Sequence, residues 1–166
     1  ALCPGGSTTF TNTTPGTATS MKWYFPGGTP STSTVANPVV SYAAAGSYNV
    51  TLVSTSSAGT DSSVFSNYIT VNPLPICLIT GNDAICAGQS TQLCASGGSS
   101  YLWSTGAITS CIDVNTAGTY SVTVTNASGC TSTCNKTITS NPLPICLITG
   151  NDAICAGQST QLCASG

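Results

Sequence analysis

One segment of 26 residues occurs twice in the chain without a single difference. Residues 72–97 and residues 141–166 both read NPLPICLITGNDAICAGQSTQLCASG, at an offset of 69. A period near 70 residues corresponds to one small domain, because solenoid repeats are about 20–50 residues long. We therefore expect a window of a longer periodic polymer. Identical repetition also argues against an enzyme, because an active site needs only one copy of its residues.

Charged side chains are almost absent. The chain has two Lys, four Asp, and neither Arg nor His, whereas Ser and Thr together make up 52 of the 166 residues. Nucleic acid is not expected as a partner, because neutralising phosphates needs clustered Lys and Arg. A hydroxyl-rich surface with so little charge gives weak protection against self-association. It suits a covering of glycans, or an assembly in which neighbouring domains bury one another.

Ten cysteines in so short a chain indicate disulfides and oxidising surroundings. Domains of about 70 residues bury too little apolar surface to be comfortably stable alone, so covalent cross-links are expected. No apolar run approaches the roughly 20 residues of a membrane-spanning helix, and no signal peptide is present. We expect the mature form of an exported precursor, located outside the cell as a secreted or surface protein.

The hydrophobic pattern alternates with a period of two. Tyr48, Val50 and Leu52 share one face of a segment, as Tyr120, Val122 and Val124 do in another. Such alternation predicts half-buried strands and an all-β fold. The two halves can also be aligned, with residues 3–10 on residues 86–93. The expected core and corner aromatics of two small β-sandwiches are Trp23, Tyr48, Trp103 and Tyr120.

Three segments of the first half resemble a PKD domain. They are WYFPGGTPSTST at residues 23–34, NPVVSY at 37–42 and AGSYNVTL at 45–52. The variety is similar to that found in tandem on secreted and surface proteins of Bacteroidota, and residues 74–140 resemble the shorter Ig-like repeats of the same proteins. The resemblance implies spacer or adhesive modules on type IX-secreted proteins and gliding adhesins, or modules beside the catalytic domains of proteases and glycosidases.

The expected organisation is a head-to-tail rod of three parts. Residues 1–72 form a PKD-like sandwich, 73–141 an Ig-like disulfide-rich repeat, and 142–166 the first two strands of the next identical repeat. The prolines of the NPLP segments at residues 72–75 and 141–144 favour extended, semi-rigid connectors. The PKD-like part begins directly before its second strand, so its first strand is expected upstream or from another chain.

Strand topology predicts two disulfides within the repeat. We expect strands at residues 76–80, 90–95, 100–104, 109–115, 119–126 and 131–139. The second and fourth are antiparallel neighbours in an Ig-like sandwich, which brings Cys94 to Cys111. The first commonly pairs in parallel with the last, which brings Cys77 to Cys134.

The remaining two cysteines of the repeat, Cys86 and Cys130, are expected in turns at opposite ends of the sandwich. A strand of several residues at about 3.3 Å each separates them, and a disulfide spans only about 5.5–6 Å between Cα atoms. The hypothesis is therefore an interdomain bond from Cys3 to Cys130, with Cys86 bonded to the next repeat. The alternative is an intradomain Cys86–Cys130 bond. The cysteines expected to form disulfides with a following repeat are Cys86, Cys146, Cys155 and Cys163.

No catalytic or metal site is predicted. The carboxylates are scattered, His is absent, and Asp83 lies in a turn. A zinc site is disfavoured because the cysteines lack a second closely spaced pair. No cofactor is expected. The candidate glycosylation sites are Asn12, Asn49, Asn126, Asn135 and Ser62.

These features predict a structural protein. The preferred function is the shaft of an extracellular filament or long surface adhesin, with copies of the chain, further repeats and glycans as partners. The alternative is a carbohydrate-binding or spacer module of a secreted hydrolase. Carbohydrate binding would need exposed aromatic platforms, for which the candidates are Tyr24, Tyr42, Tyr68 and Tyr101.

Overall fold

The computed structural model describes residues 2–13 and 18–165, and this part of the chain folds entirely into strands, turns and loops. Its buried apolar side chains form two separate cores, one between residues 10 and 71 and the other between residues 85 and 138. Both cores lie between two sheets. The prediction of an all-β fold with two Ig-like sandwiches in tandem is confirmed. None of the described residues forms a helix long and apolar enough to cross a membrane.

The first sandwich contains two antiparallel sheets around an aromatic core. Its strands are β1 (Ser7–Thr9), β2 (Ser20–Tyr24), β3 (Gly28–Thr29), β4 (Thr32–Ser33), β5 (Val39–Tyr42), β6 (Gly46–Ser56) and β7 (Gly59–Val71). One sheet has the order β1-β5-β3 and the other β4-β2-β6-β7. The rings of Phe10, Trp23 and Phe25 pack together between them, with centroids 4.6 to 5.9 Å apart.

The second sandwich likewise has one three-stranded and one four-stranded sheet. Its strands are β8 (Leu78–Thr80), β9 (Ala84–Cys86), β10 (Thr91–Ser96), β11 (Ser100–Trp103), β12 (Cys111–Val114), β13 (Gly118–Thr125) and β14 (Thr131–Asn141). The sheets have the orders β12-β10-β8 and β11-β13-β14-β9. Leu93 and Val124 are fully buried in its aliphatic core, and Trp103 is buried beside them.

The start of the second sandwich differs from the prediction. One strand at residues 76–80 was expected to pair in parallel with the last strand, but β8 pairs antiparallel with β10, and β9 makes the parallel pairing with β14. The chain changes sheets between them at Gly81, where φ is +131°. A side chain there would collide with the Gln92 carbonyl oxygen, 2.4 Å from an added Cβ atom, so only glycine fits this crossing.

The first sandwich has a counterpart of β9 at residue 2. Leu2 forms an isolated parallel bridge with Val71 at the end of β7, as Ile85 in β9 pairs with Ser140 in β14. The expected turn before the second strand therefore follows a short parallel pairing that the sequence analysis did not foresee.

Residues 142–165 form only a two-stranded ribbon. It pairs β15 (Leu147–Thr149) with β16 (Cys163–Ser165) in the register of β8 with β10. All of these residues are exposed, including the apolar Ile145, Leu147 and Ile148. The same sequence forms β8 and half of β10 in the second sandwich, where it packs against a hydrophobic core, whereas residues 142–165 are not packed against one.

Candidate functional site: the joint between the sandwiches

A disulfide joins the two sandwiches across their connector. Cys3 follows the Leu2–Val71 bridge at one end of the first sandwich, and Cys130 lies in the turn between β13 and β14 of the second. Their sulfur atoms are bonded, and their Cα atoms are 5.7 Å apart. This is the interdomain pairing favoured by the sequence analysis. The alternative bond between Cys86 and Cys130 does not form in the structure, because Cys130 is already bonded.

Hydrogen bonds fix the connector on both sides of this disulfide. The backbone N–H of Asn72 donates to the Leu2 carbonyl at 2.8 Å. The side-chain amide of Asn126 donates to the Pro73 carbonyl at 2.9 Å. We name the site formed by these four residues and the Cys3–Cys130 bond the joint. It holds the beginning of the connector to both sandwiches, so the connector cannot swing freely between them.

Asn126 has a second role within the joint. Its side-chain oxygen accepts hydrogen bonds from the backbone N–H groups of Ser128 and Cys130, each at 3.0 Å. These bonds shape the turn that presents Cys130 to Cys3. Asn126 entered the sequence analysis only as a glycosylation candidate. The segment Asn-Ala-Ser-Gly-Cys carried a usable signal, because Asn side chains commonly bond the backbone two residues further on in turns.

The other two disulfides lie within the second sandwich. Cys94 and Cys111 are opposite each other on β10 and β12, as expected. Cys77 bonds Cys134, but the expected reason for that pairing was wrong. Cys77 precedes β8 in one sheet and Cys134 lies on β14 in the other, so this bond connects the two sheets of the sandwich.

Cys86 occupies the place in the second sandwich that Cys3 occupies in the first. Each follows a residue paired in parallel with the last strand, at Ile85 and Leu2. In each case the cysteine carbonyl accepts a backbone N–H from three residues further on, at 2.9 Å from Gln89 and 2.8 Å from Gly6. Cys86 is exposed and unbonded in the described structure, as are Cys146, Cys155 and Cys163.

The four predicted core and corner aromatics lie within or against the two cores. Trp23 and Trp103 are buried. The phenols of Tyr48 and Tyr120 each donate to the carbonyl four residues upstream, at Ala44 and Thr116, over 2.8 and 3.0 Å. These contacts form the tyrosine corner of an Ig-like sandwich.

The four tyrosines considered as sugar platforms lie in different environments. Tyr42 is fully buried, and burial raises the pKa of its phenol, with a further increase from nearby Tyr48. Tyr101 is half-buried and donates to the Gly98 carbonyl. Tyr24 is partly exposed beside Lys22. The structure does not bring these rings together into one platform.

Tyr68 lies apart from them, beside an open cleft in the first sandwich. The cleft has a volume of about 420 Å³ and lies between residues 8–13 and strand β7. Phe65 and Tyr68 line it, with ring centroids 5.4 Å apart and exposed fractions of 49% and 58%. Phe10 forms part of its floor. Phe65 was not among the aromatic residues predicted to bind sugars.

The glycosylation candidates differ in accessibility. Asn135 and Ser62 are exposed on strands β14 and β7. Asn49 is exposed and its side-chain oxygen accepts the backbone N–H of Asn67. Asn12 is half-buried, with its side-chain amide 3.5 Å from the Met21 sulfur. Asn126 is half-buried in the joint, where its amide is already used.

Carboxylates and cysteines are dispersed over the described part of the chain. No group of three His, Cys, Asp or Glu residues lies close enough there to hold a metal ion. The turn residue Asp83 forms an ion pair with Lys136, which holds the turn before β9 against β14.

The comparison with protein families matches the first of the two sandwiches. A family model described as PKD domain matches residues 3–71. No match was found among curated protein sequences.

Three solved structures illustrate the likeness of fold. The chain is similar to the amphioxus IgVJ-C2 molecule, with 15% identity over 82% of this chain and 98% of that chain and a TM-score of 0.35. It is also similar to the fibronectin(III)-like modules of Clostridium thermocellum CbhA, with 14% identity over 85% and 88% of the chains and a TM-score of 0.35.

The third structure is SGBP-B from the Bacteroides ovatus mixed-linkage glucan utilization locus, in complex with a mixed-linkage heptasaccharide. It is 16% identical over 88% of this chain, with a TM-score of 0.24, and the chain spans only 43% of its length. Taken with the two cores and the two pairs of sheets, the family match identifies the architecture: a PKD domain at residues 3–71, followed by a second Ig-like β-sandwich.

Proposed function

We propose that this chain is a segment of an extracellular structural shaft, in a filament or a long surface adhesin, and that it has no catalytic activity. The joint is the observation that carries this proposal. Two sandwiches linked only by a flexible connector would reorient freely, whereas here a disulfide and hydrogen bonds to Leu2 and Pro73 restrain the connector. A protein whose work is to project or to bear load needs such restraint.

The same joint can be repeated along a polymer. Cys86 presents an exposed thiol at the place that Cys3 has in the first sandwich. In a following repeat, the counterpart of Cys130 would lie 69 residues further along and would reach Cys86 as Cys130 reaches Cys3. Every pair of neighbouring domains would then be linked twice, once through the backbone and once through sulfur.

The proposed location rests on the disulfides, and the proposed source rests on the resemblance to a known family. Disulfide-bonded PKD domains indicate an extracellular protein. The resemblance to tandem domains of Bacteroidota surface proteins supports export by that group's type IX pathway and a place at the cell surface or in secreted material. Further repeats, copies of the chain and glycans on Asn135 or Ser62 are the proposed partners.

Electron microscopy of the native material tests the shaft directly. We expect a thin fibre with an axial period of one or two domains, which becomes visibly more flexible after reduction. Peptide mapping without reduction, on the same sample, should find Cys86 in a bond to the next repeat. Compact particles in which a single sandwich pair accompanies a catalytic domain would contradict the proposal.

The alternative function is a carbohydrate-binding or spacer module of a secreted hydrolase. One observation favours it: Phe65 and Tyr68 place two exposed rings on an open cleft, and stacking on sugar faces needs such rings. Titration with soluble β-glucans, followed by calorimetry, tests this function. A saturable heat of binding that disappears in Tyr68→Ala would support this function, and the absence of any heat of binding would exclude it.

A further inference from the structure

Charged side chains are so few in this chain that each one can be traced. Of the six, Lys136 pairs with Asp83. Asp152 is the repeat counterpart of Asp83, 69 residues further along. A side-chain oxygen of Asp61 accepts the backbone N–H of the next residue at 2.8 Å. The remaining two charges are one cation and one carboxylate, and neither forms an ion pair or a hydrogen bond among the residues that the structure describes.

The unpaired cation is Lys22, on the outward face of the four-stranded sheet of the PKD domain. It is exposed on β2, opposite Val53, and its Nζ lies 5.1 Å from the centroid of the Tyr24 ring. Tyr24 is opposite Thr51, which is in turn opposite Val64 on β7. Residues that are opposite each other in a sheet point to the same side. Lys22, Tyr24, Val53 and Val64 therefore form one surface, the lysine face, with Lys22 as its only charge.

The unpaired carboxylate is Asp113, on the outward face of the three-stranded sheet of the second sandwich. It is exposed on β12 between the buried Ile112 and Val114, and it is opposite Gln92 on β10. Leu78 on β8 lies on the same side, because it is opposite the residue four positions after Gln92. The Leu78 side chain is 55% exposed. Asp113, Gln92 and Leu78 form a second surface, the aspartate face, with Asp113 as its only charge.

The two faces match in charge and in composition. Each is a sheet surface with exposed apolar side chains around one charge, and the two charges are opposite in sign. Within one chain the faces belong to different sandwiches, and Lys22 and Asp113 are not paired. An exposed ion pair contributes little affinity by itself, but complementary charges decide which surfaces meet and in which register. Burial of Tyr24, Val64 and Leu78 supplies the attraction, and almost no other charge on the chain opposes such a contact.

We propose that the lysine face of one chain docks on the aspartate face of a second copy, where Lys22 pairs with Asp113. The contact is heterologous, because the two surfaces differ, so each chain can bind one neighbour through each face and association can continue sideways. Neighbouring shafts then pack into a bundle. This contact acts between chains, whereas the Cys3–Cys130 joint acts within one, so a single shaft could still form if the contact were absent.

Charge reversal tests the contact in the full chain, with the free thiols alkylated so that disulfide exchange does not link copies. Lys22→Glu and Asp113→Lys each place like charges opposite each other. In sedimentation velocity at increasing protein concentration, we expect each variant alone to self-associate at least about tenfold more weakly than the parent chain. An equimolar mixture should recover the parent's association, because alternating copies restore an attractive pair at every contact. Such recovery also shows that both variants are folded.

Asp61→Lys is the matched control, because it makes the same change of charge as Asp113→Lys at another exposed carboxylate. Asp61 is opposite Ser54, which is opposite Met21, so the Asp61 side chain lies on the other side of the sheet from Lys22. We expect the Asp61→Lys chain to associate as strongly as the parent chain does.

The proposed contact is excluded if the parent chain remains monomeric up to about 1 mM, if neither reversal changes its association, or if the mixture fails to recover. An effect of Lys22→Glu alone also excludes it, because the lysine face would then bind something other than the aspartate face, such as an acidic polysaccharide. Equal weakening by Asp61→Lys and Asp113→Lys would reduce the effect to net charge. Every variant keeps the Cys3–Cys130 joint, so none of these results decides the shaft proposal.

Discussion

At the scale of the residue, Tyr42 combines complete burial with a hydroxyl group that has no hydrogen-bond partner in the described structure. Its ring lies 4.7 Å from that of Tyr48. A buried polar group without a partner costs about 1–3 kcal/mol. Because the aromatic ring supplies the packing, the hydroxyl is a local cost to the stability of the PKD domain.

We predict that Tyr42→Phe leaves the PKD domain as stable as before or up to about 1 kcal/mol more stable at pH 7. Tyr48→Phe is the control, because it removes the bond to the Ala44 carbonyl and should cost about 1 kcal/mol. Each sandwich contains one tryptophan, so the fluorescence of Trp23 in a Trp103→Phe background reports this domain alone. A loss of stability in Tyr42→Phe that equals the loss in Tyr48→Phe would refute the argument.

The same residue predicts a dependence on pH. Burial raises the pKa of Tyr42 above its ordinary value of 10.0, with a smaller contribution from Tyr48, so the folded state favours the neutral phenol. The stability is complete below the ordinary pKa and is lost as pH rises through the raised value. Unfolding above pH 10 should therefore be steeper in the parent chain than in Tyr42→Phe. The free thiols must be alkylated first, because thiolates exchange with disulfides.

The sequence revealed residues whose roles depend on local pattern. The Gly-x-Tyr segments predicted both corner tyrosines, and alternation predicted the strands around Val50 and Val122. Asn126 was missed because its contact with Pro73 spans 53 residues. Nothing in a linear pattern places a turn of one domain beside the connector that precedes it.

At the scale of the element, β8 is attached to its sandwich by few contacts. It has three residues, pairs with β10 along one edge, and is anchored through Cys77 to Cys134 on the opposite sheet. The Cys94–Cys111 bond only reinforces two strands that already pair. The two disulfides therefore differ in what they hold together and in the length of chain that they close.

We predict that the Cys77→Ala, Cys134→Ala pair destabilises the second sandwich more than the Cys94→Ala, Cys111→Ala pair. The closed segments span 57 and 17 residues, which correspond to about 4 and about 3 kcal/mol of chain entropy. Release of β8 adds to the first value. Guanidinium unfolding followed by Trp103 fluorescence in a Trp23→Phe background measures both, and the reverse order would exclude this account.

The division of the first strand into β8 and β9 could not be predicted from hydrophobic pattern. Residues 76–80 and 84–86 both contain strand-forming residues, and nothing in their composition assigns them to different sheets. The decision rests on Gly81, which alone can pass so close to the Gln92 carbonyl.

At the scale of the whole molecule, the stiffness of the two-domain segment depends on whether the joint holds the two sandwiches in one relative orientation. The proline-containing connector limits local bending, but it is a single strand of chain. The Cys3–Cys130 bond adds a second covalent path beside it, and Asn126 ties Pro73 to the second sandwich. Two attachments separated in space resist rotation that one attachment permits.

We predict that Cys3→Ser with Cys130→Ser leaves both sandwiches folded but allows them to move independently. NMR relaxation should show one common tumbling tensor in the parent chain and two shorter correlation times in the variant. Cys94→Ser with Cys111→Ser is the control, because that bond lies inside the second sandwich and should leave the common tensor unchanged. Asn126→Ala should give an intermediate result, since it frees Pro73 and loosens the turn that carries Cys130. If the double variant still tumbles as one body, the connector alone sets the orientation, and the disulfide's contribution lies in stability and not in the stiffness of the rod.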